Sequence, residues 1–363
     1  MIEYENLQKV NKKLFEKYQN SFDTFLKSGW YVLGSQVEKF EKEFSDFCNT
    51  NYCVGVASGL DALILALDAF DLPKDSEVIV PSNTYIATIL AIIRSGFKPV
   101  LVEPDIKTYN LNPVKIEEKI TKNTRVILVV HLYGKACDME KIVKIANEYN
   151  LKIIEDCAQA HGAKFKGRKV GSFGIGCFSF YPTKNLGALG DAGAITCNNK
   201  IYKDKLKSLR NYGSSKKYYN DDVGYNSRLD EIQAGFLSVK LEILDEITSH
   251  KRRLAKVYLE NLSSEFIKPI VSDDFFDVYH IFNIRHNKRD ELKEYLIKNN
   301  INTEVHYPIS PNNQKSMKAY IEGSYLISEE IHATTLSLPI SYFHTQEDIL
   351  EVCRVMNRWN VLV

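Results

Sequence analysis

FSFYPTKNLGALGDAGAI, residues 178–195, decides how this chain is read. Glycine, alanine and aromatic residues dominate it, and between Gly171 and Ala194 the only charged residues are Lys184 and Asp191. Charged residues make up 26% of the whole chain, so Lys184 stands where charge is otherwise kept out. Short β-rich runs, IGCFSFYP (175–182) and GAITCN (193–198), frame the lysine, and Asp191 is expected to order the loop that follows it.

Toward the N-terminus, strand-like and helix-like runs alternate. CVGVAS (53–58) leads into LDALILALDAF and EVIVP (77–81) into TYIATILAIIRSG; KPVLVEP (98–104), TRVILVVH (124–131) and LKIIEDC (151–157) follow, with helical segments between them. The strands are continuously apolar rather than alternating, which predicts a mostly parallel sheet covered by helices on both faces. Toward the C-terminus a long helical pattern runs from about Arg228 to Asn261. After it come VYHIFNIRH, a helix at RDELKEYLIKNN, a strand at INTEVHY and an amphipathic helix at QEDILEVCRVMNRW. The expected division is a large α/β domain over 1–245, with an N-terminal helical segment, and a smaller α+β domain over 246–363.

Composition narrows the function. The 47 basic and 46 acidic residues nearly cancel, which gives no electrostatic case for nucleic acid or a membrane surface. No apolar run reaches the roughly 18 residues of a membrane span, and the start, MIEYENLQKVNKK, has no apolar core, so a cytoplasmic location is expected. Seven scattered cysteines show no CxxC pair and no metal-ligand spacing; they read as reduced packing residues, with no metal site.

In open parallel sheets ligands bind beyond the carboxyl ends of the strands. Ser58, Gly59 and Leu60 open a helix after the first strand, Tyr85 follows the second, Asp156 and Gln159 end the fifth, and Ser179, Tyr181 and Lys184 follow IGCF. A helix N-terminus beginning with glycine suits a phosphate. An aromatic can stack on a planar ring, a carboxylate can pair with a ring nitrogen, and a lysine in a site poor in charge and water can act as nucleophile and base. Together these describe a pyridoxal phosphate site.

EDCAQAHGA (155–163), the 178–195 stretch, GYNSRLDEIQAG (224–235), SGWYVLGSQVEKFEKEF (28–44) and INTEVHYPIS (301–310) resemble, in order, the signature segments of the DegT/DnrJ/StrS-type nucleotide-sugar aminotransferases. The resemblance spans nearly the whole chain and implies the aspartate aminotransferase-like fold, PLP-dependent fold type I, with pyridoxal 5′-phosphate (PLP/PMP) as cofactor. It implies Lys184 as the Schiff-base lysine, Asp156 as partner of the pyridinium nitrogen, Gln159 at the phenolic oxygen and Tyr85 stacked on the ring. Ser179 and the backbone of Ser58, Gly59 and Leu60 would hold the phosphate, and Asn226 would reach the cofactor phosphate of a neighbouring subunit, making the protein a homodimer with its active site at the interface. His161 and His280 lie in family-like segments and receive no chemical role.

NSRLDEIQA (226–234) and HYP (306–308) resemble the subgroup that moves the amino group of L-glutamate to C3 of a dTDP-3-keto-6-deoxyhexose, for surface-glycan or glycoside biosynthesis. In that subgroup Tyr181, His306 and Tyr307 would line the sugar pocket and Lys217 would approach the nucleotide diphosphate. SPNNQKSMKAY (310–320) departs from the family's usual continuation. Amination at C4 of a nucleotide-linked 4-keto sugar is the alternative. A nicotinamide dehydrogenase would need a GxGxxG after the first strand, where ASGLDA stands. A dehydratase of related sequence would replace Lys184 by histidine, and a PLP-binding sensor would need an extension that the chain lacks.

Overall fold

The computed structural model describes residues 1–359, so the last four residues of the expected 246–363 unit lie outside the described residues. Its centre is a seven-stranded sheet: β1 Tyr52–Val56, β2 Glu77–Pro81, β3 Lys98–Val102, β4 Thr124–Val130, β5 Lys152–Asp156, β6 Ile175–Ser179 and β7 Gly193–Cys197. The order across the sheet is β1-β7-β6-β5-β4-β2-β3. All neighbours from β6 to β3 are parallel, while β7 runs antiparallel between β6 and β1.

The unbroken apolar strands have the predicted cause. In β4, Val126, Leu128 and Val130 enter the core on one face and Ile127 and Val129 the core on the other. Burial on both faces removes the need for a polar alternate position. Helices α1 Phe15–Ser28, α2 Ser35–Cys48, α3 Gly59–Asp68, α4 Ile86–Arg94, α5 Met139–Glu148, α6 Lys200–Leu209 and α7 Glu231–Leu241 belong to this layered body.

The long helical pattern divides. Helix α7 stops at Leu241 and α8 Leu244–Asn261 begins after a two-residue break. Phe236 of α7 packs with Leu14 and Tyr18, whereas Leu254, Ala255 and Tyr258 of α8 join a separate C-terminal core with Phe282, Leu338 and Trp359. That core includes the antiparallel pair β8 Phe282–Arg285 and β9 Thr335–Leu338 and the helices α9 Arg289–Lys298 and α11 Gln346–Trp359; α10 Leu326–Thr334 lies between. Ile281, Met317 and Ile321 instead enter a core of the central sheet, which ties the C-terminal part to it. The strand expected over INTEVHY is not formed: Ile301 and Glu304 make isolated bridges to Ile2 and Ser337, and the segment otherwise runs irregularly along the pocket.

Candidate active site

Lys184 rides on a loop pinned at both ends. Phe180 N–H donates to the Ala192 carbonyl and Ala188 N–H to the Phe180 carbonyl, each at 2.8 Å, so the chain leaves and re-enters the β6–β7 hairpin at one point. Inside that excursion Lys184 N–H donates to the Tyr181 carbonyl at 2.8 Å. Leu186 is in the core, while Asn185 donates from Nδ2 to the Val278 carbonyl at 3.0 Å and accepts from Lys251 Nζ at 2.8 Å. The loop after the lysine is held by Gln233, whose Oε1 accepts from Leu189 N–H at 2.9 Å; Asp191, expected to do this, is exposed. Neutral backbone and amide contacts suffice there.

Asp156 ends β5 and is 7% exposed. Its Oδ2 accepts from Thr88 Oγ1 at 2.9 Å and its Oδ1 from Ala158 N–H at 3.1 Å, which fix the carboxylate with lone pairs to spare. Burial raises its pKa against these bonds and against the charge of Lys184. Burial likewise lowers the Lys184 amine to about 8, with Asp156 opposing the shift. Burial thus leaves the Lys184 amine less ready to hold a proton than an exposed lysine and the Asp156 carboxylate more ready, each group's charge opposing the other's shift.

The cup at the first strand end is built by close approach. Ser58 caps α3, its hydroxyl accepting from Asp61 N–H at 3.1 Å, and Gly59 is the first helical residue. A methyl group at Gly59 would sit 2.5 Å from Ser179 Cβ, so only glycine lets the helix N-terminus and the end of β6 share this corner. Gly193, paired with both Val56 and Ser179, closes the corner from β7. Free N–H groups, two hydroxyls and a positive helix end suit a phosphate.

Gln159 Oε1 accepts from Tyr133 N–H at 2.7 Å, which orients the amide so that Nε2 donates to Tyr307 OH at 2.9 Å and keeps one N–H in reserve. The Tyr85 and Tyr307 rings lie 4.9 Å apart at 34°, with Tyr85 51% exposed. His306 donates or accepts at Ser337 Oγ from Nδ1 at 2.9 Å, and its carbonyl accepts from Tyr133 OH. Burial, then the charge of Lys184, holds its imidazole down at about 4. Tyr181 is exposed at the start of the lysine loop.

Two expected residues lie elsewhere on the chain. Asn226 and Lys217 are both exposed, Lys217 at the tip of a short hairpin where its Nζ sits 5.1 Å from the Tyr218 ring centroid. Sequence reading missed Tyr4 and Glu5, which line a cavity of about 250 Å³ with Thr183, Lys251, His280, Glu304 and His306. They arrive because Ile2 pairs with Asn300 and Asn302, and Glu5 Oε1 accepts from Ser341 Oγ at 2.5 Å. No local signal marks an N-terminal segment that docks some 300 residues away in the sequence.

His131, Glu155 and Cys157 bring possible metal-ligand atoms within 4.8 Å of one another. The first two are fully used otherwise. Glu155 accepts from Gly171, Phe173 and Gly174 N–H groups at 2.7–2.8 Å and lies 3.1 Å from His131 Nε2, while His131 Nδ1 accepts from Cys137 N–H at 3.0 Å. This cluster clamps the loop before β6.

Fold and site together define an aminotransferase of the PLP-dependent type: the buried Lys184 amine, the Asp156 carboxylate whose charge acts on it, the spare donor of Gln159 and the glycine-permitted corner fit that cofactor. The chain belongs to the DegT/DnrJ/EryC1/StrS aminotransferase family, whose model matches residues 12–357. It is 52% identical over 361 residues, 99% of each chain, to the dTDP-3-amino-3,6-dideoxy-alpha-D-galactopyranose transaminase of Aneurinibacillus thermoaerophilus. Among solved structures it is similar to DesV of S. venezuelae in complex with a ketimine intermediate (39% identity, TM-score 0.96, 99% of this chain and 98% of that one). NtdA from Bacillus subtilis with bound PMP is also similar (30% identity, TM-score 0.91, 98% and 85%).

Proposed function

We propose that this enzyme transfers the amino group of L-glutamate to C3 of a dTDP-3-keto-6-deoxyhexose. The observation that carries the chemistry is a buried Lys184 amine and a buried Asp156 carboxylate acting on each other's charge; the choice of acceptor follows the relative from Aneurinibacillus thermoaerophilus. When bound, pyridoxal phosphate supplies an aldehyde that carries the amino group and a conjugated ring that takes up the electrons of a broken C–H bond. Ser58, Gly59, Leu60 and Ser179 would hold its phosphate, Tyr85 would cover its ring, and the reserve N–H of Gln159 would meet its phenolic oxygen. Asp156 would keep a proton on the ring nitrogen.

Lys184 then has two tasks. Its amine, lowered to about 8 by burial, is neutral in a useful fraction near neutral pH and anchors the cofactor. Once released, Nζ takes the proton from the α-carbon of glutamate and, in the second half of the cycle, delivers a proton to C3 of the sugar. Tyr181, His306 and Tyr307 form the sugar wall, joined by Tyr4 and Glu5. The exposed Asn226 and Lys217 act across a homodimer interface, Asn226 at the partner's cofactor phosphate and Lys217 at the nucleotide diphosphate. We assign residues 1–245 to the cofactor-binding domain and 246–363 to the smaller one. Seven buried, unpaired cysteines suit the reducing cytoplasm, where we place the reaction, and no helix among the described residues is long and apolar enough to cross a membrane.

The two half-reactions test this separately. Glutamate alone should bleach the visible absorbance of the loaded enzyme and release one equivalent of 2-oxoglutarate. A dTDP-3-keto-6-deoxyhexose should then restore the absorbance. Restoration by dTDP-4-keto-6-deoxyglucose and not by the 3-keto isomer would overturn the C3 assignment in favour of C4.

A further inference from the structure

Lys184 has a neighbour that the reaction as described does not use. His280 Nε2 lies 3.4 Å from Lys184 Nζ, long for fixed groups and within easy adjustment of a lysine stem. The histidine is itself held. Its carbonyl accepts from Lys251 Nζ at 3.1 Å, and the same ammonium donates to Asn185, the residue next to Lys184, so one cation ties the lysine loop to the segment that carries the imidazole. His280 Nδ1 is buried and has no protein partner among the described residues.

The surroundings fix the ring's chemistry. Lys184, Lys251, His306 and His161 act on it, and the carboxylates of Glu5 and Glu304 line the same cavity; burial, then the lysines and histidines, hold its pKa well below the ordinary histidine value. With its proton on Nδ1, the neutral ring offers the Nε2 lone pair to a Lys184 N–H. On the far side Lys184 feels Asp156, and Lys251 feels Glu5 and Lys240.

We propose that His280 is a positioning residue for Lys184: the hydrogen-bond acceptor that receives the amine whenever it is free and holds it in one position between proton transfers. This rests on the assignment of Lys184 made above. An amine of this kind needs such an acceptor, because a flexible four-carbon stem otherwise samples many rotamers and reaches the reacting carbon only part of the time. The acceptor also favours the charged form of the amine, so its removal lowers the Lys184 pKa further.

The test uses the full chain stripped of cofactor. Lys184 acetylation by a small anhydride is followed across pH by mass spectrometry, for wild type, His280→Phe and His280→Gln. Wild type should show a midpoint near 8. His280→Phe should shift it down by about one unit, and His280→Gln, whose amide oxygen can still accept, should restore most of the shift. In the loaded enzymes, His280→Phe should slow the glutamate half-reaction about tenfold with little change in KM, and His280→Gln should recover it. An unchanged midpoint in His280→Phe, or equal effects of the two substitutions, overturns the proposal; should His280→Phe not fold, His280→Leu takes its place. The labelling midpoint reads the His280–Lys184 contact whatever the acceptor sugar. Failure of the functional reading would show instead as absent amino transfer in wild type.

Discussion

Burial sets what Lys184 can do. An exposed lysine is almost wholly protonated at neutral pH, whereas this one is lowered to about 8 by loss of water, and the nearby Asp156 keeps the shift from going further. Lys184→Ala should therefore keep cofactor affinity through the α3 corner and lose turnover by about three orders of magnitude or more, measured as single-turnover bleaching with glutamate. Asp156→Asn keeps the bonds' geometry and removes the charge that holds a proton on the ring nitrogen. Its glutamate half-reaction should slow by about two orders of magnitude while thermal stability changes little. Lys184 was legible as the lone lysine of a charge-poor stretch, and Asp156 as a carboxylate at a strand's carboxyl end. His280, Tyr4 and Glu5 were not: they sit in segments of ordinary composition, and only the tertiary fold brings them to Lys184 and the sugar-side cavity.

Elements place these residues through a few close contacts. Glu155 gathers three N–H groups of the loop before β6 and so fixes the strand that delivers Ser179 and Lys184. Glu155→Gln weakens that acceptor and turns an amide N–H toward donors, so a loss of about 2 kcal/mol is expected in urea unfolding. At the phosphate corner, Gly59→Ala should raise the cofactor dissociation constant at least about tenfold, since the added methyl lies 2.5 Å from Ser179 Cβ. If that clash is the cause, the double substitution Gly59→Ala with Ser179→Gly should bind better than Gly59→Ala alone. The parallel strands and their order of appearance were legible because two-sided burial writes a continuous apolar run. INTEVHY also has strand composition, yet it finds only two isolated bridges, since strand formation depends on a partner edge that no local sequence reports. The break between α7 and α8 escaped because helical periodicity continues across Glu242 and Ile243.

At the scale of the molecule, several exposed apolar side chains gather in one stretch of the chain. Phe22, Leu26, Trp30, Tyr31 and Val32 are all exposed, Trp30 at 65%, and they cluster on and just after α1. Such a surface is costly to leave in water and suits the proposed homodimer. Mixing inactive Lys184→Ala with inactive Asn226→Asp should restore activity through hybrid dimers with one intact site; an active monomer in sedimentation at assay concentration would rule this out. The family and cofactor chemistry were legible from ordered motifs along the chain, whereas Asn226 and Lys217 stay exposed within one chain and the roles proposed for them need the proposed interface. The measurement that reaches the central claim most directly follows the nitrogen itself. Loaded wild-type enzyme is incubated with 15N-labelled L-glutamate and a dTDP-3-keto-6-deoxyhexose, and the product is read by NMR, with Lys184→Ala alongside. The account predicts 15N bonded to C3 in the wild-type product and none above background with Lys184→Ala; 15N at another carbon, or equal labelling by the variant, would contradict it.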